Sequence, residues 1–278
     1  MVQQFQMKQA ADADKRTSIA KTGILDTTNM INYRWSEDIF LKNEVHADSK
    51  NHGIVMYIDW SGSMNGILKD TIEQLLILTE FCQKVNIPFD VYAFTSKRIN
   101  GEYNEETGEY LETQYVVDDT DKQLMKPHRF SLIQFLSSDM KTNEYKQAVQ
   151  DLYHLGISHQ NWRGRTAMPS EFDTGCTPLN EAVVSAIQMV PVFQAKHNIQ
   201  IVNTVFLTDG DGHSMGAGSY YGKSHVHDPK TRKDYAVERS GRYGTETAVY
   251  LQILRERTGA NIIGIRLHAS KSIRNLQY

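Results

Sequence analysis

The sequence predicts an α/β fold of the doubly wound kind, a mostly parallel central sheet with helices on both faces. Three observations predict it. Four apolar runs of strand length, 53–59, 89–95, 201–208 and 261–266, are rich in β-branched and aromatic residues. Stretches with a helical apolar period stand between them, at 66–86, 178–197 and 245–258. Two of the runs close on an acid, Asp59 and Asp209, at the end of the strand where open α/β sheets carry their ligands.

Taken in order, residues 1–22 are polar and read as a surface helix or a loose arm, and 23–51 mix apolar pairs with turn residues as a lead-in segment. HGIVMYID (52–59) is a buried strand, the apolar face over 66–86 a helix, and FDVYAFT (89–95) a second strand. Strand, helix and strand at these lengths make the crossover unit of a parallel sheet. Residues 98–117, with a central Glu-Thr-Gly and alternating Tyr and Val, predict an inserted β-hairpin. Residues 130–136 are apolar and fit a short helix or a strand, and 142–156 a helix. Pro178 opens the next helix at its first position, and Pro191 should kink or end it. IQIVNTVFLTD (199–209) and ANIIGIRL (260–267) are the remaining strands. Residues 210–244, rich in Gly, His, Tyr and Ser, read as a long loop, and a loop of that length in a compact domain is usually functional. The division expected is therefore a lead-in over 1–51 and one domain over 52–278, with insertions at 98–117 and 210–244.

Composition narrows the function. The 278 residues suffice to bury a large core without staples. The net charge of −3 and the scattered basic residues exclude a nucleic-acid coat. Two cysteines, Cys82 and Cys176, make no disulfide framework, which favours a reducing compartment. The N-terminus lacks an apolar signal core and no run is long enough to span a membrane, so the expected location is the cytoplasm.

Three loops should meet at the carboxyl edge of the sheet. Asp-Trp-Ser-Gly-Ser-Met (59–64) follows the first strand, Thr-Gly-Cys-Thr-Pro-Leu (174–179) precedes a helix, and Leu-Thr-Asp-Gly-Asp-Gly (207–212) follows the third strand. They bring two carboxylates and several hydroxyls, hard oxygen donors without imidazole or thiolate, which suit Mg²⁺, or Mn²⁺ or Ca²⁺ in its place. The pattern Asp59-x-Ser61-x-Ser63, then Thr177, then Asp209, resembles the metal-ion-dependent adhesion site of von Willebrand factor A domains, whose fold is Rossmann-like. The resemblance spans roughly 52–268. It implies that Ser61, Ser63 and Thr177 contact the ion directly, that Asp59 and Asp209 act mainly through water, and that one coordination position stays open for an acidic side chain of a partner. Within the family, DWSGSM and the lead-in GILDTTNMINYRWSEDIF (23–40) look most like the intracellular members that partner MoxR-type AAA+ ATPases, CobT-like chelatase subunits above all, which phages also carry. That implies a CobS-like or MoxR-like ATPase as partner. The chain departs from CobT proteins in lacking their long acidic region, and it offers one helix fewer after the last strand than the fold usually has.

Each reading has a plainer counterpart. Ser and Asp cap helices without any metal, and Thr177 before Pro178 is a good cap. His213, His225 and His227, with Asp211 and Asp228, could hold Zn²⁺, but no helix fixes their spacing and a solvated loop fits better. Cys176 has no His beside it in sequence to make it a nucleophile. Trp60, Met64, Tyr220 and Tyr221 are the expected partner contacts, although Trp60 would equally pack on the sheet edge. The function expected is a non-catalytic, metal-dependent docking module. The alternatives are a metal-dependent, peptidase-like hydrolase using the His-rich 210–228 loop, and a structural component with a vestigial site.

Overall fold

The computed structural model describes residues 2–4, 6–7, 18–20, 43–45, 51–96, 102–104, 109–111, 130–160, 169, 172–210, 212, 221–240, 243–244 and 246–268. The chain divides into two compact units, Met1–Asn51 and His52–Tyr278. In the first, residues 2–4 and 6–7 are helical, and β1 (Ser18–Ala20) pairs antiparallel with β2 (Asn43–Val45). The lead-in motif at 23–40 lies outside the described residues.

The second unit is built on a five-stranded sheet in the order β12-β8-β3-β4-β7. Its strands are β3 (His52–Asp59), β4 (Phe89–Ser96), β7 (Phe130–Ser137), β8 (Ile201–Thr208) and β12 (Asn261–Arg266). β12, β8, β3 and β4 run parallel, and β7 closes one edge antiparallel to β4. The four runs expected to share one mostly parallel sheet do so, and the ambiguous run at 130–136 is the antiparallel edge. From β3 the chain moves outward to β4 and later returns to β8 on the other side. The winding therefore reverses between β3 and β8, where two carboxyl ends diverge and leave a crevice.

Side-chain alternation along each strand divides the core in two. Val55 and Tyr57 of β3, with Tyr92 and Phe94 of β4, face α3 (Leu179–His197) and α4 (Glu246–Thr258). Met56, Ile58, Val91 and Ala93 face α1 (Leu68–Lys84) and α2 (Thr142–Gln160). Cys82 sits fully buried on that side as a small core residue, its thiol pushed up to about 11 by burial. Helices thus cover both faces, as the central strands require, since they are apolar on both. Among the described residues no helix is long and apolar enough to cross a membrane.

The hairpin expected over 98–117 is present as β5 (Glu102–Asn104) and β6 (Glu109–Leu111), which form a two-stranded sheet of their own. Two expectations need correction. Pro191 does not end α3, which runs on to His197 and stops at Asn198 in the left-handed conformation (φ 50°). The missing amide costs one backbone bond, which the burial of Val190 and Phe193 on either side offsets. Residues 221–244 are not a loop. β9 (Tyr221–Asp228), β10 (Lys233–Ser240) and β11 (Tyr243–Gly244) form a three-stranded antiparallel sheet. Tyr235 and Val237 point into the core beside α4, whereas Asp234 and Ala236 are exposed. That period of two was legible, but polar and glycine-rich neighbours masked it.

The inserted sheet is stapled to α4 by charge. Asp228 is fully buried and accepts hydrogen bonds from Arg257, from Thr231 Oγ1 at 2.8 Å and from the Lys230 amide at 3.0 Å. Glu256 accepts from Lys233 Nζ at 2.7 Å and from the Tyr235 hydroxyl at 2.9 Å. The Arg257 hydrogen bond, first among the causes, holds the Asp228 carboxyl well below the usual carboxylate range. A depressed folded-state pKa stabilises the fold above the unfolded value of about 4 and loses that stabilisation as the pH falls below it. Arg257→Leu should therefore cost about 3 kcal/mol at pH 7 by leaving a buried charge unpaired. It should also flatten the acid limb of a urea-unfolding profile below about pH 4; an unchanged acid limb would deny Asp228 this role.

Candidate metal centre

Asp59 is the last residue of β3, placed at the edge of the crevice by the strand that both β4 and β8 flank. Its side chain is fully buried. Thr208, at the end of β8, donates from Oγ1 to Asp59 Oδ2 at 2.7 Å. Asp59 Oδ1 has no hydrogen-bond partner among the described residues. After Asp59 the chain makes a 3-10 turn over Gly62–Gly66 and enters α1, which turns Ser61 and Ser63 toward one another with their Oγ atoms 3.0 Å apart. Ser63 donates to Asp209 Oδ1 at 2.9 Å. Each hydroxyl has one proton, so Ser61 is the donor to Ser63.

Thr177 completes the set from the third loop. That loop is fastened to the end of β3: Ser61 and Gly175 form a parallel bridge, Gly62 N–H donates to Gly175 O at 2.9 Å, and Gly175 N–H reaches Trp60 O at 3.2 Å. Thr177 stands beside the Asp209 loop, since a Cβ added at Gly210 would lie 3.9 Å from Thr177 Oγ1. α3 begins at Leu179 with Pro178 in the cap position and no side-chain cap bond, so Thr177 is one residue outside the cap that the plainer reading gave it. Asp59, Ser61 and Thr177 form a buried floor, Asp209 is half-buried and Ser63 is exposed. The five residues expected from the sequence are therefore together, on a floor open at one side.

Electrostatics mark the floor as incomplete. Burial pushes the Asp59 carboxyl up to about 6; the Thr208, Ser61 and Thr177 hydroxyls favour the anion, and the nearby Asp209 charge opposes it. At about 1.4 kcal/mol per pKa unit, burial and the Asp209 charge together outweigh the three hydroxyls by roughly 3 kcal/mol. Two neighbouring carboxylates, one with an orphaned oxygen, and three hydroxyls, each able to accept as well as donate, are a donor set that fits a hard divalent cation. Among the described residues no three His, Cys, Asp or Glu side chains converge elsewhere, and here only two do, because hydroxyls supply the remaining donors.

The expected partner surface needs correction. Trp60 and Met64 are fully buried. Trp60 donates from Nε1 to Phe172 O at 2.8 Å and packs edge-on against Phe135 and His159, with centroids 4.9 and 5.3 Å away. Both pack in the core cluster that holds Met56 and Ile58 of β3. Tyr220 and the side chain of Tyr221 lie outside the described residues, as do Asp211 and His213. His225 and His227 are exposed on β9, and His227 Nδ1 lies 2.7 Å from Asp234 Oδ1. Cys176 is an exposed free thiol at the rim.

Three hydroxyls escaped the sequence reading. Thr208 precedes Asp209 directly and was open to notice. Thr95 and Ser96, at the end of β4, accept hydrogen bonds from the Gly175 and Cys176 amides at 3.0 and 2.7 Å. Nothing in the sequence joins them to a loop 80 residues away.

In metal-free protein the raised Asp59 pKa has a definite sign. The folded state binds the proton more tightly than the unfolded chain, so this contribution is complete below about pH 4 and is lost as the pH rises through 6. Urea unfolding in EDTA should show a stability loss between about pH 4 and 6 that Asp59→Asn abolishes. The same slope in wild type and variant would remove Asp59 as its source.

No family model matches the chain, and no curated protein matches it. Among solved structures it is similar to the pilus adhesin SpaC from Lactobacillus rhamnosus GG in its open conformation, at 12% identity and a TM-score of 0.43, over 78% of this chain and 24% of that one. It is also similar to the pilus adhesin RrgA from Streptococcus pneumoniae, at 13% identity and a TM-score of 0.34, over 60% of this chain and 21% of that one. The chain thus spans less than a quarter of either. At these values the likeness bears on neither function nor location.

Proposed function

We propose that this chain is a von Willebrand factor A-type docking module that uses a bound Mg²⁺ to capture an acidic residue of a protein partner. One observation carries the reading. Asp59, fully buried and with an orphaned oxygen, shares its floor with Ser61, Ser63, Thr177 and Asp209 at the point where the sheet reverses its winding. Such a set lacks positive charge, and a divalent cation supplies it. Ser61, Ser63 and Thr177 would hold the ion directly, with Asp59 and Asp209 acting through water, as the resemblance implies.

Neutral hydroxyls leave much of an ion's charge unneutralised, so the open side attracts a carboxylate. One carboxylate–metal contact covers little area, whereas specific interfaces bury about 1,200–2,000 Å². Surrounding surface must contribute, and with Trp60 and Met64 buried the exposed described residues of the two loops include Gly62, Ser63, Gly66 and Cys176. From the resemblance alone we assign the partner as a MoxR-like or CobS-like AAA+ ATPase in the cytoplasm. The module itself carries no catalysis in this reading.

Calorimetry should show one Mg²⁺ site in the wild type, and Asp59→Ala should lose it; equal binding by both would remove the site. Capture of the AAA+ protein should be abolished by EDTA and by Ser63→Ala or Thr177→Ala. Peptide cleavage that survives purification and vanishes in Asp209→Ala would replace docking with hydrolysis.

A further inference from the structure

The loop that carries Thr177 is gripped by two adjacent hydroxyls of β4. Thr95, 3% exposed, accepts from the Gly175 amide, and Ser96 accepts from the next amide, Cys176. The approach is close enough to require glycine at 175. A Cβ there would lie 2.5 Å from the Ser96 carbonyl oxygen, 2.5 Å from Ser96 Oγ and 2.8 Å from Thr95 Oγ1. The same segment is tied to β3 through Gly62 and Trp60, and Trp60 N–H is in turn bonded to Phe94 O of β4. Consecutive amides of a loop, held by consecutive strand residues, fix both its position and its direction. Thr177 follows two residues later, beside Gly210 and the buried Asp59.

We infer that Thr95 and Ser96 are positioning residues for the metal centre, holding the 174–177 loop so that the Thr177 hydroxyl stands in place before an ion binds. The inference rests on the reading of this floor as a metal site. Ligand-supporting hydrogen bonds commonly contribute 10- to 100-fold to metal affinity, because they remove the cost of ordering the ligand on binding. Thr177 belongs to a loop that joins no strand of the central sheet directly, so its placement depends on such support.

The test uses Mg²⁺ calorimetry and amide hydrogen exchange on the full chain as wild type, Thr95→Val, Ser96→Ala and Thr95→Ser. Thr95→Val keeps the shape and removes the hydroxyl; Thr95→Ser keeps the hydroxyl. In EDTA the Gly175 amide should exchange faster in Thr95→Val, and the Cys176 amide in Ser96→Ala. Mg²⁺ affinity should fall roughly 10- to 100-fold in both and return close to the wild-type value in Thr95→Ser. Faster exchange with wild-type affinity would overturn the inference and leave the metal site standing. A wild type that binds no Mg²⁺ would overturn the site and the inference together. Ser96 lies at the strand end and is half-buried, so Ser96→Ala decides the matter should Thr95→Val fail to fold.

Discussion

A carboxylate buried at the end of the central strand is the constraint from which this structure follows. Asp59 is fully buried, and the Thr208, Ser61 and Thr177 hydroxyls favour its anion without matching the cost of burial. A hydrogen bond to a charged group is worth about 1.5–3 kcal/mol, well short of the cost of removing an ionised carboxylate from water. The raised pKa records which effect wins. A fold that keeps such a residue must either accept the proton or provide a cation, and the arrangement of neighbours bears on the second. An acid, Asp209, stands close by, which would be perverse around a carboxyl meant only to be neutral.

Parallel strands make that arrangement possible. β3, β4 and β8 point the same way, so their ends and the loops beyond them lie at one edge. Apolar side chains on both faces fix the register, since a slip of one residue would exchange the two halves of the core. With register fixed, Asp59, Ser96 and Thr208 end their strands together, and the polar chemistry of the edge is set by the apolar packing beneath it. Trp60 joins the two: its indole lies in the core, while its backbone binds both β4 and the Thr177 loop.

The sheet and the gathering of Asp59, Ser61, Ser63, Thr177 and Asp209 were legible because each is written locally. Runs such as IVMYID carry strand identity in their own composition, and Asp-x-Ser-x-Ser is a contiguous string. Relations between distant segments were not legible. The alternation in DYAVE became a strand only because Tyr235 and Val237 could pack beside α4, and the salt bridges of Asp228 and Glu256 join residues about 25 apart. Trp60 and Met64 misled because a residue inside a functional string is easily taken for a functional surface. The pleat of β3 and the turn after it send both side chains inward, and no property of the string itself says so.

Were an ion bound as proposed, the chemistry of the floor would also limit what it could do there. A site that activates water for hydrolysis needs a general base within hydrogen-bond reach of that water. In the proposed reading both carboxylates are needed to balance the ion's charge, with Asp59 Oδ2 also accepting from Thr208 and Asp209 from Ser63. Removing either to serve as a base would take away the charge that balances the ion. Hydroxyl ligands, as proposed for Ser61, Ser63 and Thr177, would leave the ion electron-poor and the open side attractive to an incoming anion. A preformed loop strengthens that tendency, since a shell that need not reorganise spends less of its interaction energy on ordering itself. Under the proposed reading, a buried Asp59, a half-buried Asp209 and an exposed Ser63 suit an ion that holds a partner better than one that transforms a substrate.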